Sequence, residues 1–260
     1  MSGLSGRTII VVGASRGLGR AISLAFAEAG APVVALARSG PTLAELASTN
    51  ANIRTEVADA TDATVAGSLL DRFEPAAVIL VAGATPFMRP LPQQTWETFS
   101  VNWHTDVRIA FHWLRAALLK PLRPGSRVIT ISGGAAVAGS PLSGGYAGAK
   151  ATQRFITAYA QDEAERSGLG ITFTTVLPRI TPLTDLGRPS RRTPLAMASP
   201  KMNIFNRWAN RLPRRSPARP WSNSYGKMPP PLPRATCSAA PGCKGCRDGG
   251  PVCSTGPCSH

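Results

Sequence analysis

Tyr146 and Lys150 stand four residues apart in the segment Tyr146-Ala147-Gly148-Ala149-Lys150. On a helix this spacing puts both side chains on one face. There the lysine ammonium favours a phenolate and lowers the tyrosine pKa from about 10 toward working pH. A tyrosine so placed can exchange protons with a substrate. Taken alone, the spacing more often marks a packed helix face than a site. Ser132 lies fourteen residues before Tyr146, at the end of the apolar run that leads into Ile131-Ser132-Gly133-Gly134.

A second constellation sits near the start of the chain. The apolar run Thr8–Val12 leads into Gly13-Ala14-Ser15-Arg16-Gly17-Leu18-Gly19, a Gly-x3-Gly-x-Gly turn that opens a helical pattern. Glycines there let the backbone approach a pyrophosphate, whose charge the helix N-terminus attracts. Tight strand-to-helix turns also use glycine for steric reasons alone, so placement after a strand carries the weight. The residue closing the next apolar run is Arg38, and no acid follows until Glu45. A carboxylate at that position accepts hydrogen bonds from an adenosine 2′-hydroxyl, whereas arginine accommodates a 2′-phosphate. With Arg16 as a second cation in the glycine turn, NADP is expected ahead of NAD.

The elements that must position these groups follow an alternating rhythm. Strand candidates are Thr8–Val12, Pro32–Ala37, Ile53–Ala58, Ala77–Ala82, Arg127–Ser132 and Ile171–Leu177. They read as apolar without alternating polar positions, as strands buried on both faces of a parallel sheet require. Between them lie helical patterns at Gly17–Ala29, Thr42–Ser48, Ala63–Arg72, Gln93–Leu119 and Tyr146–Ser167. The expectation is an α/β fold, a doubly wound parallel sheet of the Rossmann type in a single domain spanning residues 1–187. In such a sheet ligands bind outside the carboxyl ends of the strands, where both constellations fall.

In these features the sequence resembles the short-chain dehydrogenase/reductase family, over about residues 5–187. Gly13, Gly17 and Gly19, with Ser15, Arg16 and Leu18 between them, match the family's cofactor turn. Asp59 and Ala60 match the acid and neighbour that contact adenine. Ala82-Gly83-Ala84 matches the Asn-Ala-Gly turn, with Val81 in place of its asparagine. Asn102, in Ser100-Val101-Asn102, with Ser132, Tyr146 and Lys150, matches the catalytic tetrad. The resemblance implies hydride transfer between NADPH and a small-molecule carbonyl or alcohol, 3-oxoacyl compounds among the candidates. Tyr146 would protonate the carbonyl oxygen and Ser132 would polarise it. Lys150 would hold the nicotinamide ribose and tune Tyr146, while Asn102 would anchor a relay water. Pro178 and Thr181 match a segment lining the nicotinamide, although Arg179 stands where the family has glycine. The family's commonest dimer pairs the helices expected at Gln93–Leu119 and Tyr146–Ser167. Phe111, Trp113 and Leu114 would supply apolar contacts to a homodimer of this kind.

Composition limits the alternatives. The 260 residues are 43% hydrophobic and 17% charged, which suits a globular chain, yet the formal charge of +15 is unevenly placed. Residues 1–187 hold 16 Lys/Arg against 13 Asp/Glu, whereas residues 188–260 hold 13 against one, Asp248. All five cysteines lie beyond Thr236, and 13 of the 24 prolines lie in that last stretch. Where the family would continue with helices and a final strand, this basic Pro/Arg/Cys-rich tail has almost no apolar periodicity. It is expected to be a disordered or frameshifted segment. Arginines interleaved with Phe205, Trp208, Trp221 and Tyr225 raise the competing prospect of nucleic-acid binding. Cys243-x2-Cys246, with Cys237, Cys253 and Cys258, raises that of zinc, but the spacing of the second pair is wrong and no metal is expected. A catalytically weak cofactor-binding protein is a further alternative. No stretch approaches the roughly 18 to 20 apolar residues of a membrane span. Ile9–Val12 is too short for a signal core, so a cytoplasmic protein is expected.

Overall fold

In the computed structural model, which describes residues 6–178, six strands form one sheet. They are β1 (Ile9–Val12), β2 (Val33–Ala37), β3 (Ile53–Val57), β4 (Ala77–Leu80), β5 (Arg127–Ile131) and β6 (Thr172–Val176). The order is β3-β2-β1-β4-β5-β6 and every pairing is parallel. The register sets Val12 beside both Leu36 and Leu80, Ala37 beside Val57, and Ile131 beside Val176, so all six carboxyl ends share one edge. Between β1 and β4 the winding reverses, and that point is the ligand crevice of this architecture. The residues of the tail, with Arg179 and Thr181, lie outside the described residues.

Alternation along the strands divides the core. Ile10, Val12, Val34, Leu36, Val78 and Leu80 pack on one face, where α3 (Ala63–Phe73), α5 (Arg108–Leu119) and α7 (Gly144–Arg166) lie. Ile9, Val11, Val33, Ala35 and Ile79 face the other way, toward α1 (Gly17–Glu28) and α2 (Gly40–Ser48). Burial on both faces holds for the central strands β1 and β2. The outer strands depart from the expectation. In β3 Arg54 is exposed, and in β6 Thr172, Thr174 and Val176 are exposed while Phe173 is buried. Among the described residues no helix covers that second face of β6.

The helix expected as one piece over Gln93–Leu119 is three. Thr95 caps α4 (Trp96–Asn102) by accepting from the Thr98 amide, while the Thr98 hydroxyl accepts from the Thr95 amide, so the helix cannot start earlier. Pro90 and Pro92 confine the preceding segment to a 3-10 turn at Leu91–Gln93. After Asn102 the helix widens into a π turn, Trp103–Val107, before α5 resumes. The cause is tertiary. Asn102 and Asp106 are held by the backbone turn after β4, while Trp113 is held by its ring N–H donating to the Ala60 carbonyl. A short helix, α6 (Ala135–Ala138), separates β5 from α7.

Candidate active site

The glycine turn follows β1 directly. Gly13 has φ +94°, and a Cβ there would meet the Ala82 amide nitrogen at 2.6 Å, so the turns after β1 and β4 touch at the crevice. Gly17 opens α1 and Gly19 is buried in its first turn, while Ser15, Arg16 and Leu18 border them. Arg16 is the N-cap residue and supplies no side-chain cap, and the first turn holds no acid. Its uncapped amides and the surface of this turn suit a dinucleotide pyrophosphate.

Around the crevice the other strand ends carry the remaining residues. Arg38 is exposed immediately beyond β2. Asp59 follows β3, and its carboxylate accepts from the Thr61 amide at 2.9 Å and the Thr61 hydroxyl at 2.8 Å. These bonds hold its pKa below the usual carboxylate range, and the Arg38 charge adds to them. Ala60 is buried beside it. Ala82, Gly83 and Ala84 follow β4, with the Ala82 amide bonded to the Val12 carbonyl at 2.8 Å. Pro178, after β6, accepts from the Gly134 amide at 3.3 Å.

Three of the four expected catalytic side chains meet at the ends of β5 and α7. The Ser132 hydroxyl donates to the Lys150 carbonyl at 2.8 Å. The Lys150 ammonium stands 5.6 Å from the centre of the Tyr146 ring. A Cβ on Gly133 would lie 3.4 Å from the Tyr146 hydroxyl, which puts that hydroxyl against the turn carrying Ser132. Asn102 is joined to them indirectly. Its Nδ2 donates to the Ala84 carbonyl at 2.7 Å and to Asp106 Oδ1 at 3.3 Å.

Asp106 is the group that the spacing of motifs did not reveal. It is fully buried, its Oδ1 accepts from the Ala84 amide at 2.8 Å, and its Oδ2 stands 3.0 Å from the Lys150 ammonium. That second contact is an ion pair without hydrogen-bond alignment. A Cβ on Gly83 would meet Asp106 Oδ2 at 2.7 Å, so the carboxylate can lie here only against a glycine. The sequence clue was an acid four residues after Asn102 in an otherwise apolar helix face.

This pairing corrects an expectation. Lys150 was expected to lower the Tyr146 pKa, but the tyrosine is pushed above its ordinary value, first by burial and then by the Asp106 carboxylate. Lys150 is 5% exposed and spends its charge on Asp106 rather than on the phenol. Among the described residues no three His, Cys, Asp or Glu side chains cluster as metal ligands, and no described helix is long and apolar enough to cross a membrane.

Comparison with known proteins gives one consistent result. The profile of the family described as short chain dehydrogenase matches residues 7–194. The short chain dehydrogenase/reductase dpchG of Colletotrichum higginsianum is 35% identical over 152 residues, covering 53% of this chain and 56% of that protein. A short-chain type dehydrogenase/reductase of Picea abies is 31% identical over 222 residues, covering 78% and 81%. The chain spans about half the length of most curated relatives it matches. Among solved structures, a short chain dehydrogenase from Mycobacterium avium superposes with a TM-score of 0.61 at 25% identity, covering 68% of this chain and 69% of that one.

Proposed function

The chain belongs to the short-chain dehydrogenase/reductase family, and from that premise we propose that it is an NADPH-preferring reductase of small or acyl-type carbonyl compounds, with 3-oxoacyl compounds among the candidates. Family membership supports an NAD(P)-dependent oxidoreductase, and the activity, the cofactor preference, the substrate class and the direction are our reading. The observation that carries the reading is the convergence of Ser132, Tyr146 and Lys150 beside the glycine crevice. For cofactor choice the support is Arg38, exposed just beyond β2 in the position where a carboxylate would favour a 2′-hydroxyl.

The residues present fit a dinucleotide. Gly13 lets the turns after β1 and β4 close on each other at the switch point, and the uncapped start of α1 offers amides to a phosphate. Bound NADPH would supply the hydride. Tyr146 holds the proton that a reduced carbonyl oxygen must receive, and its raised pKa keeps that proton in place at neutral pH. Ser132 would turn its hydroxyl from the Lys150 carbonyl toward the substrate oxygen, a rotation about one bond. Asn102 fixes the Ala84 backbone and with it the wall of the crevice.

We assign this reaction to residues 1–187, an assignment supported by a family match that ends at residue 194. We also infer a homodimer through α5 and α7, supported by exposed Phe111, Phe155 and Tyr159. Trp113 and Leu114, expected at that surface, are core residues at 1% and 3% exposure and take no part in it.

Fluorescence titration with NADPH and NADH, followed by a panel of carbonyl substrates, tests the proposal. Tighter NADPH binding with turnover of a carbonyl supports it. Equal affinities, or binding without turnover on any carbonyl, would refute it.

A further inference from the structure

A lysine buried to this degree needs a partner for each of its three N–H donors, because an unpaired ammonium away from water is costly. Lys150 has two hydrogen-bond acceptors and one ion-pair partner. Its Nζ lies 3.0 Å from Asp106 Oδ2, 3.0 Å from Gln153 Oε1 and 3.5 Å from the Ile131 carbonyl. Gln153 is itself fixed, since its Nε2 donates to the Asp106 backbone carbonyl at 2.9 Å. Asp106 and Gln153 therefore form one clasp, built from the π turn and α7 and tied by the Ala84 amide to the turn after β4.

We propose that Asp106 is a positioning residue that neutralises and aims the Lys150 ammonium, so that the site beside Tyr146 carries no net positive charge and works as a proton donor to a carbonyl oxygen. This deepens the reductase reading and rests on it for the direction of reaction. The geometry alone carries the clasp. The Asp106 carboxylate, in contact with the ammonium, offsets its pull on the phenol, whereas an unpaired ammonium 5.6 Å from the ring centre would favour a phenolate in a dry site. Among the described residues, Asp106 from the π turn and Lys150 from α7 are the charged groups that reach Tyr146. The contact to the Ile131 carbonyl is the longest of the three, so it is the one that Lys150 can exchange for a cofactor hydroxyl without releasing Asp106.

The test needs neither cofactor nor substrate, so its failure is distinct from failure of the reductase assignment. Tyrosinate absorbance of the full chain is titrated from neutral to strongly alkaline pH, with the Tyr146→Phe chain subtracted to isolate one of three tyrosines. In wild type Tyr146 should ionise above the ordinary value of about 10. In Asp106→Asn, which keeps the shape of the side chain and removes its charge, the midpoint should fall by at least about one pH unit. Adding Lys150→Met to that variant should reverse the fall. An unchanged midpoint in Asp106→Asn overturns the proposal, as does a fall that persists without Lys150. Should Asp106→Asn fail to fold, lysine side-chain NMR of the wild type decides. One of the five ammonium groups, assigned by its loss in Lys150→Met, should be protected from exchange with water. Absence of any protected ammonium overturns the clasp.

Discussion

Gly13 and Ala82 meet backbone to backbone across the point where the sheet reverses its winding, with only 2.6 Å between the Ala82 nitrogen and the place a Gly13 Cβ would occupy. Two loops more than sixty residues apart in sequence are thereby pressed into one wall. Gly13→Ala would add both left-handed backbone strain at φ +94° and a steric clash. Together these should cost about 2–4 kcal/mol and lower Tm by roughly 5–15 °C, with nucleotide binding lost in parallel. Thermal unfolding with and without NADPH checks both.

Arg38→Ala should weaken NADPH binding by roughly ten- to a hundredfold while NADH affinity changes less than about twofold, as the loss of charge-assisted phosphate bonds requires. Equal losses for the two cofactors in a fluorescence titration would assign Arg38 to the fold rather than to a 2′-phosphate.

Tyr146→Phe should retain NADPH binding and lose about 10²–10⁴-fold in kcat for reduction, because only the phenolic proton is removed. The raised pKa of Tyr146 sets the pH dependence. Its acid form persists above the ordinary value, so the rate of carbonyl reduction should stay level from neutral to about pH 9 and fall only beyond it. A rate already declining near pH 7 would contradict the assignment.

Asp62 caps α3 by accepting from the Thr64 amide and hydroxyl, both at 2.8 Å, and these bonds lower its pKa. A carboxylate lowered in the folded state adds stability that is present above its unfolded pKa and is lost as pH falls through the folded one. Asp62→Asn keeps a good cap without the titration. Its Tm should match wild type near neutrality, and it should lose less than wild type on acidification from about pH 5 to pH 2.

Phe155 and Tyr159 stand one turn apart on α7 at 55% and 57% exposure, and Phe111 on α5 is 52% exposed. Wild type should run as a dimer by light scattering, and Phe155→Arg as a folded monomer with a lower Tm that no longer depends on protein concentration. A stable tetramer would contradict the inferred interface.

The strands and most helices were legible because their apolar runs and punctuating glycines are local properties. Each strand lies within one or two residues of its expected span. The edge on which Gly13, Arg38, Asp59 and Ser132 gather followed from the rule that places ligands at the carboxyl ends of parallel strands, whereas the order of the strands was not read from the sequence. Illegible were the features that depend on distant partners. The π turn arises from contacts to Ala84 on one side and Ala60 on the other, neither of which helix propensity can express. The upward direction of the Tyr146 shift comes first from burial and then from Asp106, forty residues away, and neither can be read from a lysine four residues along the helix. Burial of Trp113 and Leu114 could not be told from exposure of Phe111, because one apolar helix carries all three.

The wide turn at Trp103–Val107 also sets how this stretch tolerates change of length. Removing one residue would restore regular α-helix but rotate one half against the other by about 100°. Either Asn102 would keep its hold on Ala84 or Trp113 would keep its place under Ala60, not both. Substitutions at exposed His104 should be absorbed readily, whereas a single-residue deletion anywhere in the turn should unseat the crevice wall or the core. Spacing, more than residue identity, is therefore what this helix has to preserve.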